Sequence, residues 1–166
     1  MLRTAYSETD FDQDPTPSCR PEELAEQLST SPLFASMPIE EVREVLSPFD
    51  EQRFNAGHRI TLEGLRGTDF FVIVEGRARV SVDGWAVGQL SAGDFFGELG
   101  VLGDGIRFAT VTAQTPLRCL VLAHGGLRRL LVDHPQMSVN VLGEVVSRFH
   151  DLAERRPAPE TEMLAH

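Results

Sequence analysis

The chain contains no lysine: all fifteen of its basic residues are arginine, set against 25 acids for a net charge of -10 over 166 residues. So acidic a chain makes a poor nucleic-acid binder, because phosphate contact needs a basic surface. Long apolar runs are also missing, and none reaches the ~18 residues of a membrane span. The opening stretch, MLRTAYSETDFDQD, lacks the apolar core of a secretory leader. These absences point to a cytoplasmic protein that engages neither membrane nor nucleic acid. Cysteine is scarce. Cys19 lies in a polar stretch and Cys119 in an apolar one, so a structural disulfide between them is not expected. The histidines, His58, His124, His134, His150 and His166, are scattered, and no pair has metal-ligand spacing on a strand. There is no Cys–His cluster, no G-x-S-x-G elbow and no phosphate-binding P-loop. Catalysis, a bound metal and a resident cofactor are accordingly not expected.

What is there has the make-up of one globular domain with tails, 42% apolar and 24% charged. Residues 1–20 form an acidic N-terminal arm, polar and without periodicity, readable as a solvated tail or as a partner-binding segment. The domain proper spans 21–156, and 157–166 is a short tail. PEELAEQL begins a helix with Pro21 at its first turn, Pro32 interrupts it, and a second helix follows from Pro38 with Ile39, Val42 and Leu46 on its buried face. From about Asp50 to Ala123, short apolar runs alternate with glycine and Asp-Gly punctuation. EQRFNAG, HRITLEG, FFVIVEG, RARVSVDG, WAVGQL, FATVTAQ and LRCLVLA each read as a strand. The clearest hairpin is RARVSVDGWAVG, turned at Asp83-Gly84. Strands at this spacing with no helices among them argue a β-sandwich or small barrel. Helix returns in GGLRRLLVDHP and in a longer segment from Pro135. On the latter, Val139, Leu142, Val146, Phe149 and Ala153 form a 3-4 stripe that can pack on its own domain or form a dimer seam. Packing on the domain is the expectation.

Residues 93–111, GDFFGELGVLGDGIRFATV, surround two opposite charges with glycine and apolar residues. ELGVL is long enough for one helical turn, and a turn behind Gly97 presents N–H groups to an anion. Arg107 opens the next strand on the face shared with Ala109, Val111 and Ala113, and a guanidinium there is costly unless an anion meets it. An ionised Glu98 only accepts hydrogen bonds, so it suits a ribose hydroxyl. Amides and Arg107 for a phosphate with Glu98 for a ribose describe a nucleotide site. Equally, Glu98 and Arg107 can simply pair, and the glycines can be turn residues only.

The cassette from Phe96 to Ala113, FGELGVLGDGIRFATVTA, resembles the phosphate-binding cassette of cyclic nucleotide-binding domains, including the nine-residue step from Glu98 to Arg107. That module occurs in protein kinase A regulatory subunits, in catabolite activator protein and its relatives, and in cyclic nucleotide-gated channels. The resemblance covers about residues 31–156, with SPLFASMPIEEVREVL before the cassette, AGHRITLEGLRGTDFFVIVEGRARV, and the closing helices after HP. It implies a mainly β fold with helices: a double-stranded β-helix (jelly-roll) barrel flanked by N-terminal helices and two C-terminal helices. It implies that Glu98 binds the ribose 2′-hydroxyl, that Gly97 lets it approach, and that Phe96, Gly97, Glu98, Leu99 and Gly100 line the ribose-phosphate. Arg107 would pair with the cyclic phosphate, and the backbone around Phe108 and Ala109 would complete the cradle. Gly67 and Gly76 match glycines that shape barrel turns. Arg148 and Phe149, on the C-terminal helix that acts as a lid in relatives, would meet the base; alternatively Arg148 is solvated and Phe149 is core.

The chain departs from the family pattern in two places. Ile106 stands where proline usually precedes the arginine. Phe108 stands where Ala, Ser or Thr usually follows it, and it lacks the hydroxyl that can contact a guanine. The implied ligand is cAMP, with cGMP second. The resemblance implies a regulatory sensor that signals to an effector protein by closure of its last helix; the apolar stripe on that helix offers a homodimer as a second partner. Neither a helix-turn-helix nor a kinase segment is visible, so the module is expected to stand alone. The rival expectation is a degenerate fold that acts as a ligand-independent interaction module, with Phe108 filling the pocket.

Overall fold

The computed structural model describes residues 20–123 and 125–155. The acidic arm with Cys19, His124, and the C-terminal tail with His166 lie outside the described residues. Helix α1 (Pro21–Leu28) starts on a proline with Glu22 and Glu23 in its first turn, where acids complement the helix dipole. It buries Leu24, Ala25 and Leu28. Pro32 opens a single 3₁₀ turn, Pro32–Phe34, and α2 (Ile39–Leu46) follows Pro38, burying Val42, Val45 and Leu46.

Two antiparallel sheets follow. The first is ordered β1 (Asp50–Phe54), β8 (Leu117–Leu122), β3 (Phe70–Glu75), β6 (Phe95–Phe96). The second is ordered β2 (Arg59–Thr61), β7 (Thr110–Ala113), β4 (Ala78–Val82), β5 (Trp85–Leu90). Apart from the β4–β5 hairpin, consecutive strands therefore fall in different sheets, the crossover pattern of a jelly roll. It takes the form of two facing sheets, each with its own edges, and not of a ring closed by hydrogen bonds.

Period-2 geometry explains why β3 is an unbroken apolar run. Phe71 and Ile73 point into the core between the sheets, with Ile60, Ala78, Leu90, Phe96, Val111 and Val121. Phe70, Val72 and Val74 point the other way, into a second core under the helices with Phe34, Val45, Leu127 and Met137. The β4–β5 hairpin turns on Asp83 (φ 51°) and Gly84 (φ 80°), the left-handed pair that suits a right-twisted hairpin. The two-residue strand β6 is not legible as a strand in the sequence, because Phe95-Phe96 pairs only with Phe71 and Val72.

Helix α4 (Gly126–Asp133) leads into α5 (Pro135–Arg155). The face α5 buries is Met137 and Val141, with Val145 partly buried beside them. Asn140 fixes the helix by donating from Nδ2 to the carbonyls of Leu33 (2.9 Å) and Ala35 (2.8 Å). This corrects the expected packing of the 3-4 stripe on the domain. Val139 and Leu142 are 64% exposed and Val146 58%. The seam from Met137 to Val145 turns them outward. Among the described residues no helix is long and apolar enough to cross a membrane.

Candidate ligand pocket

The site is built around a buried arginine. Arg107 is 6% exposed. Its backbone is clamped to the β2–β3 loop, with Arg107 N–H donating to the Leu65 carbonyl (2.8 Å) and Gly64 N–H donating to the Arg107 carbonyl (2.9 Å). The guanidinium donates from Nη1 to the Gly97 carbonyl (3.1 Å) and from Nη2 to the Asp69 carbonyl (3.0 Å), and it lies over the Phe71 ring. Glycines leave the room it needs. A β-carbon at Gly67 would collide with the guanidinium, and one at Gly97 or Gly100 would stand 3.0 or 3.3 Å from Nη1. Gly97 also adopts φ +91°, a left-handed conformation that any side chain would strain. Gly67, read from the sequence as a barrel-turn glycine, thus serves the arginine seat, whereas Gly76 (φ +97°) fits its turn role, packed against the Pro116 carbonyl.

The strand expected to open at Arg107 begins at Thr110 instead. Thr61 Oγ1 donates to the Ala109 carbonyl (3.0 Å) and accepts from Val111 N–H (3.2 Å), so a side chain stands in for part of the β2–β7 ladder where its register shifts. Arg107 still faces inward because the preceding loop holds it there.

Glu98 opens the one-turn helix α3 (Glu98–Leu102) and is 4% exposed. The amides of Glu98, Leu99 and Gly100 precede the first intrahelical bond, Val101 N–H to the Gly97 carbonyl at 3.3 Å. Burial pushes the Glu98 carboxyl above its ordinary pKa, partly offset by Arg148, its own backbone amide and Arg107, with Glu144 adding to the rise. Arg148 reaches it from α5, with Nη1 3.3 Å from Oε1. The same guanidinium meets Glu144 (3.5 Å) and stacks on the Phe95 ring at 4.5 Å.

Helix α5 lies across the mouth of the resulting cavity, which has a volume of about 280 Å³. Phe149 meets Phe108 there, ring centroids 5.9 Å apart and tilted by 60°, and Arg155 Nη1 donates to the Val87 carbonyl (2.8 Å) on β5. Every residue named from the sequence as ligand-binding lines this one cavity: Phe96 through Gly100, Arg107, Phe108, Ala109, Arg148 and Phe149. Sequence reasoning missed the hairpin wall, Val80, Val82 and Val87, and missed Thr61 and Glu144. Val80 and Val82 carried a usable signal, since they alternate with Arg79 and Ser81 on one strand. Among the described residues, His150, Asp151 and Glu154 bring potential ligand atoms within 4.8 Å of one another, but all are exposed near the end of α5.

Comparison with known proteins agrees with this geometry. The sequence profile of the cyclic nucleotide-binding domain matches residues 51–134, half of the chain. A cAMP-dependent protein kinase regulatory subunit of Eremothecium gossypii is 37% identical over 105 residues, covering 63% of this chain and 23% of the relative. A cGMP-dependent protein kinase of Caenorhabditis briggsae is 32% identical over 113 residues, covering 64% of this chain and 15% of the relative. The chain thus spans only a quarter or less of the length of these relatives. Among solved structures, cAMP-bound PfPKA-R aligns with a TM-score of 0.72 at 28% identity, over 81% of this chain and 46% of the other. Catabolite activator protein of Thermus thermophilus aligns at 0.67 and 26%, over 75% of this chain and 61% of the other.

Proposed function

The chain belongs to the cyclic nucleotide-binding domain family, and on that premise we propose that it is a regulatory sensor that binds a cyclic nucleotide, cAMP foremost, without altering it. The observation that carries this reading is the buried Arg107, seated among glycines at the wall of a cavity that also holds the buried Glu98. In the proposed complex Arg107 meets the cyclic phosphate and Glu98 accepts the ribose 2′-hydroxyl. The helix α5 then bears on the base. Signalling follows from a change in the population of the closed α5, and the ligand drives it only through its differential affinity for that state. The output passes to a separate effector protein. Isothermal titration with cAMP and cGMP tests the binding. Heat that saturates with one ligand per chain supports it, and no heat at millimolar ligand with folded protein rejects it.

The exposed stripe on α5 suggests a second copy of the chain as a further partner. Val139 and Val146 occupy one heptad position and Leu142 the other, the pairing of β-branched and leucine side chains that favours a two-stranded parallel seam. A ligand-independent interaction module remains the rival, favoured by the Phe108–Phe149 contact across the mouth. The open volume beneath that contact counts against it. A partner captured equally by wild type and Glu98→Ala would select the rival.

A further inference from the structure

Phe108 and Phe149 come from unrelated parts of the fold and meet at the cavity mouth, each 46% exposed. Phe108 is fixed by its neighbour, whose backbone is bonded to the β2–β3 loop in both directions. Phe149 rides on α5. Two half-bare rings in a cavity wall carry apolar surface that only a flat apolar ligand face would cover well.

Several polar groups around the same cavity are already engaged, and the exposed Asp151 carboxylate is the exception that the test below addresses. Gln89 Nε2 donates to Gln114 Oε1 (2.9 Å), Arg155 donates to Val87, and Asp94 Oδ2 accepts from Ser91 N–H (2.8 Å). Arg148 is held by Glu98 and Glu144; its Nη2 is buried without a hydrogen-bond partner among the described residues. A lone donor there suits a purine ring nitrogen, an acceptor that adenine and guanine share. Discrimination between bases needs a built pattern of edge hydrogen bonds, whereas stacking reads the π-face that every base has. The missing hydroxyl at Phe108 removes a bond that would favour guanine; it does not create a penalty against guanine.

Resting on the cyclic nucleotide reading above, and replacing its preference for cAMP, we infer that Phe108 and Phe149 form an aromatic clasp that takes the base by its faces, so that the site accepts adenine and guanine cyclic nucleotides alike. The base replaces the ring–ring contact with ring–base contacts, and α5 moves with Phe149 as it does so. Selectivity in this chain then resides in the sugar-phosphate seat.

The test is titration of the full chain with cAMP and cGMP, in wild type and in Phe108→Ala, Phe108→Leu and Phe149→Ala, with circular dichroism to confirm folding. The expected result is two dissociation constants within about fivefold of each other, weakened in parallel by about tenfold in each alanine variant. Phe108→Leu, which keeps apolar bulk without a π-face, should also weaken both ligands. A preference above about a hundredfold for one base overturns the clasp, since it requires edge readout. So does a change of more than about tenfold in the cAMP-to-cGMP ratio in Asp151→Asn, because that exposed carboxylate on the lid would then be reading the edge. Tighter or unchanged binding in the alanine variants overturns it as well, by making the rings a plug or bystanders. Failure of every cyclic nucleotide to bind the folded wild type sinks the parent reading, whereas binding with strong base preference sinks the clasp alone.

Discussion

Gly67 and Arg107 are separated by forty residues of chain, yet a β-carbon on the first would run into the guanidinium of the second. Gly67 does not sit in the left-handed region, so its backbone tolerates a side chain and only space forbids one. Gly67→Ala should therefore push the guanidinium off the carbonyls of Gly97 and Asp69 while leaving the fold intact. The expected outcome is a loss of cAMP affinity of about tenfold or more, with a fall in melting temperature of only a few degrees. Wild-type affinity in Gly67→Ala would show that the seat does not position the arginine.

Arg107 itself separates charge from geometry. Arg107→Leu removes the phosphate's counter-charge and should weaken cAMP binding by about a hundredfold, the size of one or two charge-assisted hydrogen bonds. Arg107→Lys keeps the charge and loses the planar fork, so it should fall between leucine and wild type. Titration calorimetry on the three proteins gives the order. Lysine equal to wild type would mean that charge alone matters there.

Much of this site could be read before the fold was known, for physical reasons particular to each residue. The step from Glu98 to Arg107 is local, confined to one turn of helix and one loop, so its resemblance to a known cassette was enough to direct attention to both, and the structure brings them to one cavity. The hairpin at Asp83-Gly84 was legible because two left-handed residues are a chemical necessity there. The pairing of Arg148 with Glu98 was not legible, since it depends on where α5 lands fifty positions further along the chain. The role of Gly67 was hidden likewise, because a missing side chain reports a neighbour without naming it. The stripe on α5 misled because Val139, Leu142 and Val146 repeat as regularly as the face that is buried, and only the anchoring of Asn140 to Leu33 and Ala35 chooses between them.

That choice leaves a surface to test. If two copies pair along α5, Leu142→Glu places two carboxylates in the seam and should shift the protein to monomer in analytical ultracentrifugation. Leu142 is 64% exposed within one chain, so the same change should cost the folded monomer under about 0.5 kcal/mol. An unaltered sedimentation coefficient for wild type and Leu142→Glu, both monomeric across the concentration range, would remove the second copy as a partner.

Glu98 makes ligand binding a function of pH, and the sign follows from its surroundings. Burial raises its pKa above the ordinary value of 4.5, against the opposing pull of Arg148, its own amide and Arg107. A raised carboxyl favours folding in its protonated form. Its contribution to stability is complete below the unfolded value and is lost as pH rises through the folded one. Relative to Glu98→Gln, wild type should therefore lose stability as pH rises from about 4.5 through that raised value. Binding runs the other way. A ribose hydroxyl donates more strongly to the ionised carboxylate than to the acid, so the complex favours deprotonation and the ligand expels a proton. Affinity for cAMP should weaken as the solution is acidified from neutral toward pH 5, by no more than about tenfold per pH unit because one proton is involved. Calorimetry in two buffers of different ionisation heat should detect the released proton near the raised pKa. In Glu98→Gln both the pH slope and the proton release should vanish, with binding weaker at neutral pH. A wild-type profile as flat as that of Glu98→Gln would place the ribose elsewhere in the cavity and leave Glu98 to serve Arg148 alone.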